Sequence, residues 1–402
     1  MSIERRVSRV AVSTSERLRV ALYSHDTCGL GHFRRNLVIA RALRAHLGAN
    51  VLLLSGIREA GSFPVEKGID TLHLPALTKI DNLNYRPRRL EVGLERLVRL
   101  RSETLYAALM AFRPDAFIVD NVPRGAVGEL EKSLRTLRSG GHTYTVLGLR
   151  DVLDAPENVQ REWLKPENLA AIRDLYDSVW VYGDPQVYDV ANEYDFPEDI
   201  RRSIRFTGYL HPLADREPLD STLVRAGEEP DICVVGGGHD GEELATVFAD
   251  ACAVDHRPGM VLSGPFMGES ATRRLAEHPE ISVRRFVPDP IPLYHGARSI
   301  VSMGGYNTVM ELIALGQRAL IVPRVSPRQE QLVRATALSE RGLVDLLHPD
   351  ELSPERIADW LRAEHQTHTG APASLNMDGL SAIVQNLRHL VDRYQADTAL
   401  AG

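Results

Sequence analysis

The chain has 402 residues, of which 44% are hydrophobic and 25% charged, with a formal net charge of -7. This length suffices for two domains of ordinary size, and the composition is that of a soluble globular protein without the run of ~20 apolar residues that a membrane helix needs. The acidic balance argues against a dedicated nucleic-acid-binding protein, which would carry a basic excess.

The cysteines and the first residues indicate the compartment. Cys28, Cys233 and Cys252 show neither CxxC spacing nor a histidine-rich metal pattern. Such a small, odd number favours a reducing environment without a disulfide framework. Residues 1–17 are polar and lack the apolar core of a secretion signal, so we interpret them as a flexible leader on a cytoplasmic protein.

The first half of the chain alternates predicted strands with predicted helices. A helix with apolar positions at 3.6-residue spacing extends to about residue 47. Strands are predicted at residues 18–23, 51–54, 71–74, 144–148 and 178–182, and within the segment R-P-D-A-F-I-V-D-N-V-P at residues 113–123. This alternation is typical of a parallel sheet with helical crossovers.

A glycine loop follows the first predicted strand, at the edge of the sheet where ligands gather. Gly29 and Gly31 allow a tight turn and close backbone approach, and His32 begins the next helix. A helix N-terminus disfavours a protonated imidazole, so His32 is biased towards the form that can take a proton. Asp120 and Asp151 follow later strands at the same edge.

Residues 78–104 are rich in arginine. They are interpreted either as a solvated loop followed by an amphipathic helix, or as a basic rim for an acidic acceptor or a lipid headgroup surface. A proline-rich, charged linker is predicted at residues 211–230, between domains at residues 18–210 and 231–380. A final helix at residues 381–395 is expected to pack back towards the first domain.

Residues 299–324 carry the most informative pattern, in which a short strand, a glycine turn and a helix follow one another. Gly304 and Gly305 form the turn, and the helix begins through Tyr306-Asn307-Thr308. The first N–H groups of a helix lack intrahelical acceptors and lie at its positive end, so this arrangement binds phosphate. Glu311 lies one turn further on the same face, either as a ribose-binding carboxylate or as a solvated helix residue.

The segment R-F-V-P-D-P-I-P-L-Y-H-G-A-R-S-I-V-S-M-G-G-Y-N-T-V-M-E-L-I-A-L-G-Q-R-A-L-I-V-P resembles glycosyltransferase family 28, the type that includes the bacterial lipid-linked peptidoglycan N-acetylglucosaminyltransferases. It is also similar to the plant secondary-product glycosyltransferases. The resemblance covers residues 230–345 well, and the first half only through Gly29 to His32. It implies the GT-B fold, an α/β architecture in which two Rossmann-like domains with parallel sheets face a central cleft.

The resemblance also implies a nucleotide-sugar site. Glu311 would hold the ribose, the Gly304 turn the diphosphate, Phe286 and Val287 the base, and Glu330 with Gln331 the donor sugar. Met303 stands where relatives often carry a histidine or arginine, so either another cation is expected, with Arg324, Arg328 and His239 as candidates, or the backbone suffices. The full set of predicted binding positions is Gly31, Gly237, Gly238, Phe286, Val287, Met303, Gly304, Gly305, Asn307, Thr308, Glu311, Glu330 and Gln331.

The predicted activity is inverting transfer of a sugar from a UDP- or TDP-sugar to an acceptor hydroxyl. His32 is the predicted base, oriented by Asp120 or Asp151. No metal or other cofactor is expected, because the sequence has no Asp-x-Asp between strands and no His/Cys cluster. The acceptor is left open as lipid-linked, glycan or natural product, with at most peripheral membrane contact in a bacterial cytoplasm.

Three alternatives use the same scaffold. The loop G-L-G-H-F-R-R resembles the Gly-x-Gly-His-x-x-Arg segment of the UDP-sugar hydrolases of nonulosonic acid synthesis, in which water is the acceptor. A sugar-nucleotide epimerase would need several carboxylates around the donor sugar, and Asp26, Asp120 and Asp240 are candidates. The third alternative is a non-catalytic nucleotide-sugar-binding protein.

Overall fold

The computed structural model of the chain describes residues 17–25, 29–79, 85–211, 213, 229–238, 240–363 and 371–400. Most of the predicted leader and most of the predicted linker lie outside these residues, as do Asp26, Cys28 and His239. The expectations for those positions stay predictions.

Seven strands of the described first half form one parallel sheet, in the order β3-β2-β1-β6-β7-β8-β9. The strands of this half are β1 (Arg19–Ser24), β2 (Asn50–Ser55), β3 (Ile69–His73), β4 (Leu77–Lys79), β5 (Tyr85–Pro87), β6 (Ala116–Asp120), β7 (Tyr144–Arg150), β8 (Ser178–Tyr182) and β9 (Ile204–Phe206). The central strands are almost continuously buried because hydrophobic clusters lie on both faces of the sheet.

The helices of the first half connect these strands. They are α1 (Gly31–Leu47), α2 (Leu94–Phe112), α3 (Glu131–Gly140), α4 (Pro156–Asn158), α5 (Pro166–Leu175), α6 (Val190–Glu193) and α7 (Glu198–Arg201). Helix α2 confirms the amphipathic helix predicted in the arginine-rich region, since it buries Leu97, Arg101, Leu105 and Leu109 at four-residue spacing. Strands β4 and β5 pair antiparallel where a solvated loop was predicted, because each satisfies the other's backbone groups.

The second half also alternates strands with helices, and its strands form a parallel sheet in the order β12-β11-β10-β13-β14-β15. Its strands are β10 (Asp231–Val234), β11 (Gly259–Leu262), β12 (Ile281–Arg284), β13 (Ser299–Ser302), β14 (Ala319–Ile321) and β15 (Asp345–Leu346). Its helices are α8 (Glu242–Val254), α9 (Glu269–Ala276), α10 (Ile291–His295), α11 (Tyr306–Leu315), α12 (Glu330–Ser339), α13 (Pro354–Arg362) and α14 (Gly379–Leu400). The predicted α/β class is confirmed. Within the described ranges, no helix has the length and apolar character needed to cross a bilayer.

The two halves pack with the carboxyl ends of their strands around one cleft. Tyr306, at the start of α11, donates from its hydroxyl to the carbonyl of Tyr182 in β8 (2.9 Å) and accepts from the N–H of Leu210 (3.2 Å). Leu380 and Ile383 of α14 belong to the same buried cluster as residues of α1. These contacts fix how the glycine loops of the two halves face each other.

A buried ion pair also joins the halves. The guanidinium of Arg334 in α12 donates to Asp151, just after β7, at distances of 2.7 to 3.0 Å. Both side chains are buried. Removing one member of such a pair leaves the other charge buried without its partner, which is more costly than the pair's net contribution.

Arg334→Met is therefore expected to lower the free energy of unfolding by about 3–5 kcal/mol. Urea denaturation of the variant would measure the loss. Arg362→Met is the matched control, because Arg362 pairs with Asp255 and Asp359 at the surface, where ion pairs contribute little to stability. Equal losses in the two variants would contradict a special role for the buried pair.

Candidate active site

The glycine turn after β13 leads directly into α11, as predicted. Gly304 has a φ of 84°, which favours glycine, and a Cβ there would lie 2.7 Å from Ile321. Helix α11 then begins at Tyr306, with Gly305 and Thr308 lining the cleft. The free N–H groups of this helix start therefore point towards the cavity between the halves.

Two helix N-termini meet across this cavity. Asn307 of α11 donates from its side-chain amide to the carbonyl of Gly31, the first residue of α1 (2.9 Å). The positive ends of α1 and α11 thus lie on opposite sides of one cavity of about 250 Å³. Such an arrangement favours an anion between them.

The second glycine loop lies beside the first. Gly236 lines the cavity. The predicted position Gly237 faces Gly29 across the cleft at 3.4 Å, measured from a built Cβ to the Gly29 Cα. Gly238 serves packing, because a Cβ there would lie 2.2 Å from the carbonyl oxygen of Ser263. Close approach of neighbouring atoms explains Gly237 and Gly238, whereas Gly236 has open space at its Cβ position and a φ of 60°.

His32 and Asp120 form a hydrogen-bonded pair at the edge of the cavity. Nδ1 of His32 lies 2.6 Å from Oδ2 of Asp120, whose side chain is fully buried. An ionised carboxylate only accepts, so Nδ1 carries the proton and Nε2 keeps a lone pair. Asp151, the alternative partner from sequence, is instead held by Arg334.

Arg35 keeps Asp120 ionised. Its Nη2 donates to both carboxylate oxygens of Asp120 at 2.6 Å. Burial alone would raise the pKa of Asp120, but the positive charge of Arg35 and the contact with His32 outweigh burial and hold that pKa well below its usual range. Asp120 is therefore charged at any working pH and can orient the imidazole.

Glu311 is a buried residue and not a solvated one, since only 5% of it is exposed. Its Oε1 accepts from Nη2 of Arg34 in α1 at 2.5 Å. It lines a second cavity of about 500 Å³, which adjoins the first along Arg34, Tyr306 and Asn307. The predicted ribose carboxylate is thus held by an arginine from the opposite half.

The other predicted donor contacts lie around the first cavity. Phe286 and Val287 line it, and the ring of Phe286 meets that of Phe63 edge to face at 5.5 Å between centroids. Glu330 accepts from Nη2 of Arg324 (2.8 Å), and Gln331 accepts from the N–H of the same arginine (2.9 Å).

The cation expected in place of Met303 stays a prediction, because Arg324 lines the first cavity and His239 lies outside the described residues. Met303 is buried in the core of the second half. Arg324 is already paired with Asp240 and Glu330, and Arg328 is not among the residues that line either cavity. The structure also brings Arg150, which was not among the candidates, to this cavity. In the sequence, Arg150 follows the apolar run of β7, at the same carboxyl edge of the sheet as Asp120. This position is the pattern from which Arg150 could have been predicted.

Comparisons with known proteins identify a family match in the second half of the chain. The model of the glycosyltransferase family 28 C-terminal domain matches residues 232–377. The UDP-N-acetylglucosamine–N-acetylmuramyl-(pentapeptide) pyrophosphoryl-undecaprenol N-acetylglucosamine transferase of Burkholderia mallei is 29% identical over 174 residues, which are 40% of this chain and 47% of that protein. The chain thus spans about half the length of the curated relatives it matches.

Solved structures extend the similarity over both halves. MurG of Acinetobacter baumannii aligns over 94% of this chain and 99% of its own, with a TM-score of 0.51 and 15% identity. The rhamnosyltransferase SpnG with thymidine diphosphate covers 96% and 100% (TM-score 0.56, 13% identity). A structure from Listeria monocytogenes that is assigned as a UDP-N-acetylglucosamine 2-epimerase aligns over 95% of this chain and 97% of its own (TM-score 0.60, 12% identity). At these identities the alignments show the fold alone, and the predicted GT-B fold is confirmed.

Proposed function

We propose that the chain, whose second half matches the glycosyltransferase family 28 C-terminal domain, is a GT-B glycosyltransferase that transfers a sugar from a nucleotide-diphosphate donor to an acceptor hydroxyl. One observation carries the proposal. His32 of the first half, which is hydrogen-bonded to Asp120, and the α11 start of the second half line the same cavity. A proton acceptor and a diphosphate-binding helix start are the two parts that such a transfer needs.

The reaction would be a single displacement. The acceptor oxygen forms a bond to the anomeric carbon while the bond from that carbon to the diphosphate oxygen breaks, so the configuration inverts. The acceptor proton goes to Nε2 of His32, and Asp120 stabilises the imidazolium through Nδ1. The helix starts hold the departing diphosphate, and no step assigned to these residues requires a metal.

The donor is proposed to be a UDP- or TDP-sugar, with Glu311 on the ribose hydroxyls and Phe286 beside the base. The acceptor class stays open as lipid-linked, glycan or natural product, and the expected setting is the cytoplasm. An epimerase is less well supported, because Asp120 is engaged by Arg35 and Asp240 by Arg324.

A thermal-shift screen with UDP, TDP and their sugars tests the proposal. A bound donor stabilises the folded state by mass action, by about 2.7 kcal/mol at a concentration 100 times its Kd. We expect at least one of these ligands to raise the unfolding midpoint. A panel without any shift would contradict the proposed function, and rapid stoichiometric release of free sugar without an acceptor would indicate the hydrolase.

A further inference from the structure

Arg150 reaches the cavity from the first half of the chain. It ends β7, and its Nη1 lies 3.8 Å from Oε1 of Glu330 in the second half. Its side chain is 13% exposed, and it lines the same cavity as Gly305 and Thr308. Its Nε is buried without a hydrogen-bond partner in the part of the chain that the structure describes. A buried guanidinium N–H left in this state has donor capacity for a ligand.

The arginines around Arg150 already have close carboxylate partners. Arg35 is held by Asp120, Arg334 by Asp151, and Arg324 by Glu330. Within the described residues, Arg150 contacts a carboxylate only through the longer contact with Glu330, which Arg324 already engages at 2.8 Å.

The pKa of Arg150 reflects this environment. Burial lowers the pKa to about 10 together with the charges of the neighbouring arginines Arg35, Arg334 and Arg328, while the carboxylate of Glu330 acts in the opposite direction. The group is still protonated at neutral pH. An anion bound beside it would relieve the repulsion among these cations.

We propose that Arg150 binds the diphosphate of the donor from the side opposite α11, and so supplies the cation that Met303 does not. This inference rests on the proposed function. A guanidinium can contact two phosphate oxygens at once, and its charge would stabilise the negative charge that grows on the diphosphate as the bond to the anomeric carbon breaks. The diphosphate would then contact both halves of the chain.

The test compares nucleotides with nucleosides on the wild-type protein and on Arg150→Met. UDP and TDP binding is measured by calorimetry, and uridine and thymidine binding by ligand-observed NMR. We expect Arg150→Met to weaken binding of the nucleoside diphosphate by about 10- to 100-fold and to leave nucleoside binding unchanged. Arg150→Lys keeps the positive charge but loses the two parallel N–H donors of the guanidinium. Its affinity for the nucleoside diphosphate is expected to lie between those of the wild type and Arg150→Met.

Arg318→Met is the matched control. Burial also lowers the pKa of Arg318, but this arginine stacks on Trp360, away from the cleft residues. We expect it to bind the nucleoside diphosphate as the wild type does. If Arg150→Met binds the nucleoside diphosphate as tightly as the wild type, or loses nucleoside binding to the same extent, the role of Arg150 is overturned. The proposed function is not affected by either result. A wild-type protein that binds neither UDP nor TDP would overturn the proposed function together with this inference.

Discussion

His32→Ala is expected to reduce turnover by about 10²–10⁴-fold while leaving the affinity for the donor unchanged. The imidazole is hydrogen-bonded to a buried carboxylate, so Nε2 is free to take the acceptor proton, and neither group is needed to hold the nucleotide. Asp120→Asn should give a loss in the same range, because an amide can favour the wrong tautomer of His32. Steady-state turnover and calorimetric donor binding measure the two effects separately.

His142→Ala provides the control for this prediction. Its Nε2 also lies close to a buried carboxylate, at 2.8 Å from Oδ1 of Asp115, but that pair lies at the amino end of the sheet, away from the cavity. We expect near-normal turnover from His142→Ala. An active His32→Ala protein would remove His32 from the mechanism.

Glu311→Gln is expected to weaken UDP binding by about 10- to 100-fold, because hydrogen bonds from ribose hydroxyls to a buried carboxylate are charge-assisted. The pairing of Glu311 with Arg34 adds a second consequence. The ribose must share this carboxylate with the guanidinium or displace it, so donor binding is coupled to the contact between α1 and α11.

The comparison of UDP with 2′,3′-dideoxy-UDP isolates the ribose contact. The wild-type protein should prefer UDP, whereas Glu311→Gln should bind the two ligands with nearly equal affinity. Unchanged discrimination in the variant would show that the ribose hydroxyls bind elsewhere. Arg362→Met, at a surface ion pair, should keep the wild-type preference.

Most of the fold could be predicted from local sequence patterns. Strands buried on both faces leave continuous apolar runs, and the turn at Gly304 stands out because few other residues adopt its backbone conformation. The helix beginning at Tyr306 follows from the same turn. For these features the cause lies within a few residues of the effect, so the sequence suffices.

The choice between Asp120 and Asp151 needed the order of strands in the sheet. Both residues follow strands at the carboxyl edge, but β1 pairs with β6, which places the loop before α1 beside Asp120. Strand β7 lies one position further away. Strand order is a property of tertiary pairing, and the spacing of these aspartates does not contain it.

Contacts across the cleft also could not be predicted from the sequence. Arg34 and Glu311 are 277 positions apart, and Asn307 reaches Gly31 over 276. The spacing of apolar residues predicts which face of a helix is buried, but it does not predict which residues of the other half pack against that face. Arg150 went unnoticed for the same reason, since its role depends on the arginines that the second half brings near it.

A crystal structure of the protein with UDP or TDP tests the central claim most directly. The account predicts the diphosphate between the Gly304–Gly305 turn and the start of α1, the ribose hydroxyls within hydrogen-bond distance of Glu311, and the base beside Phe286. A nucleotide bound outside this cleft, or one in the cleft whose ribose does not reach Glu311, would contradict the account.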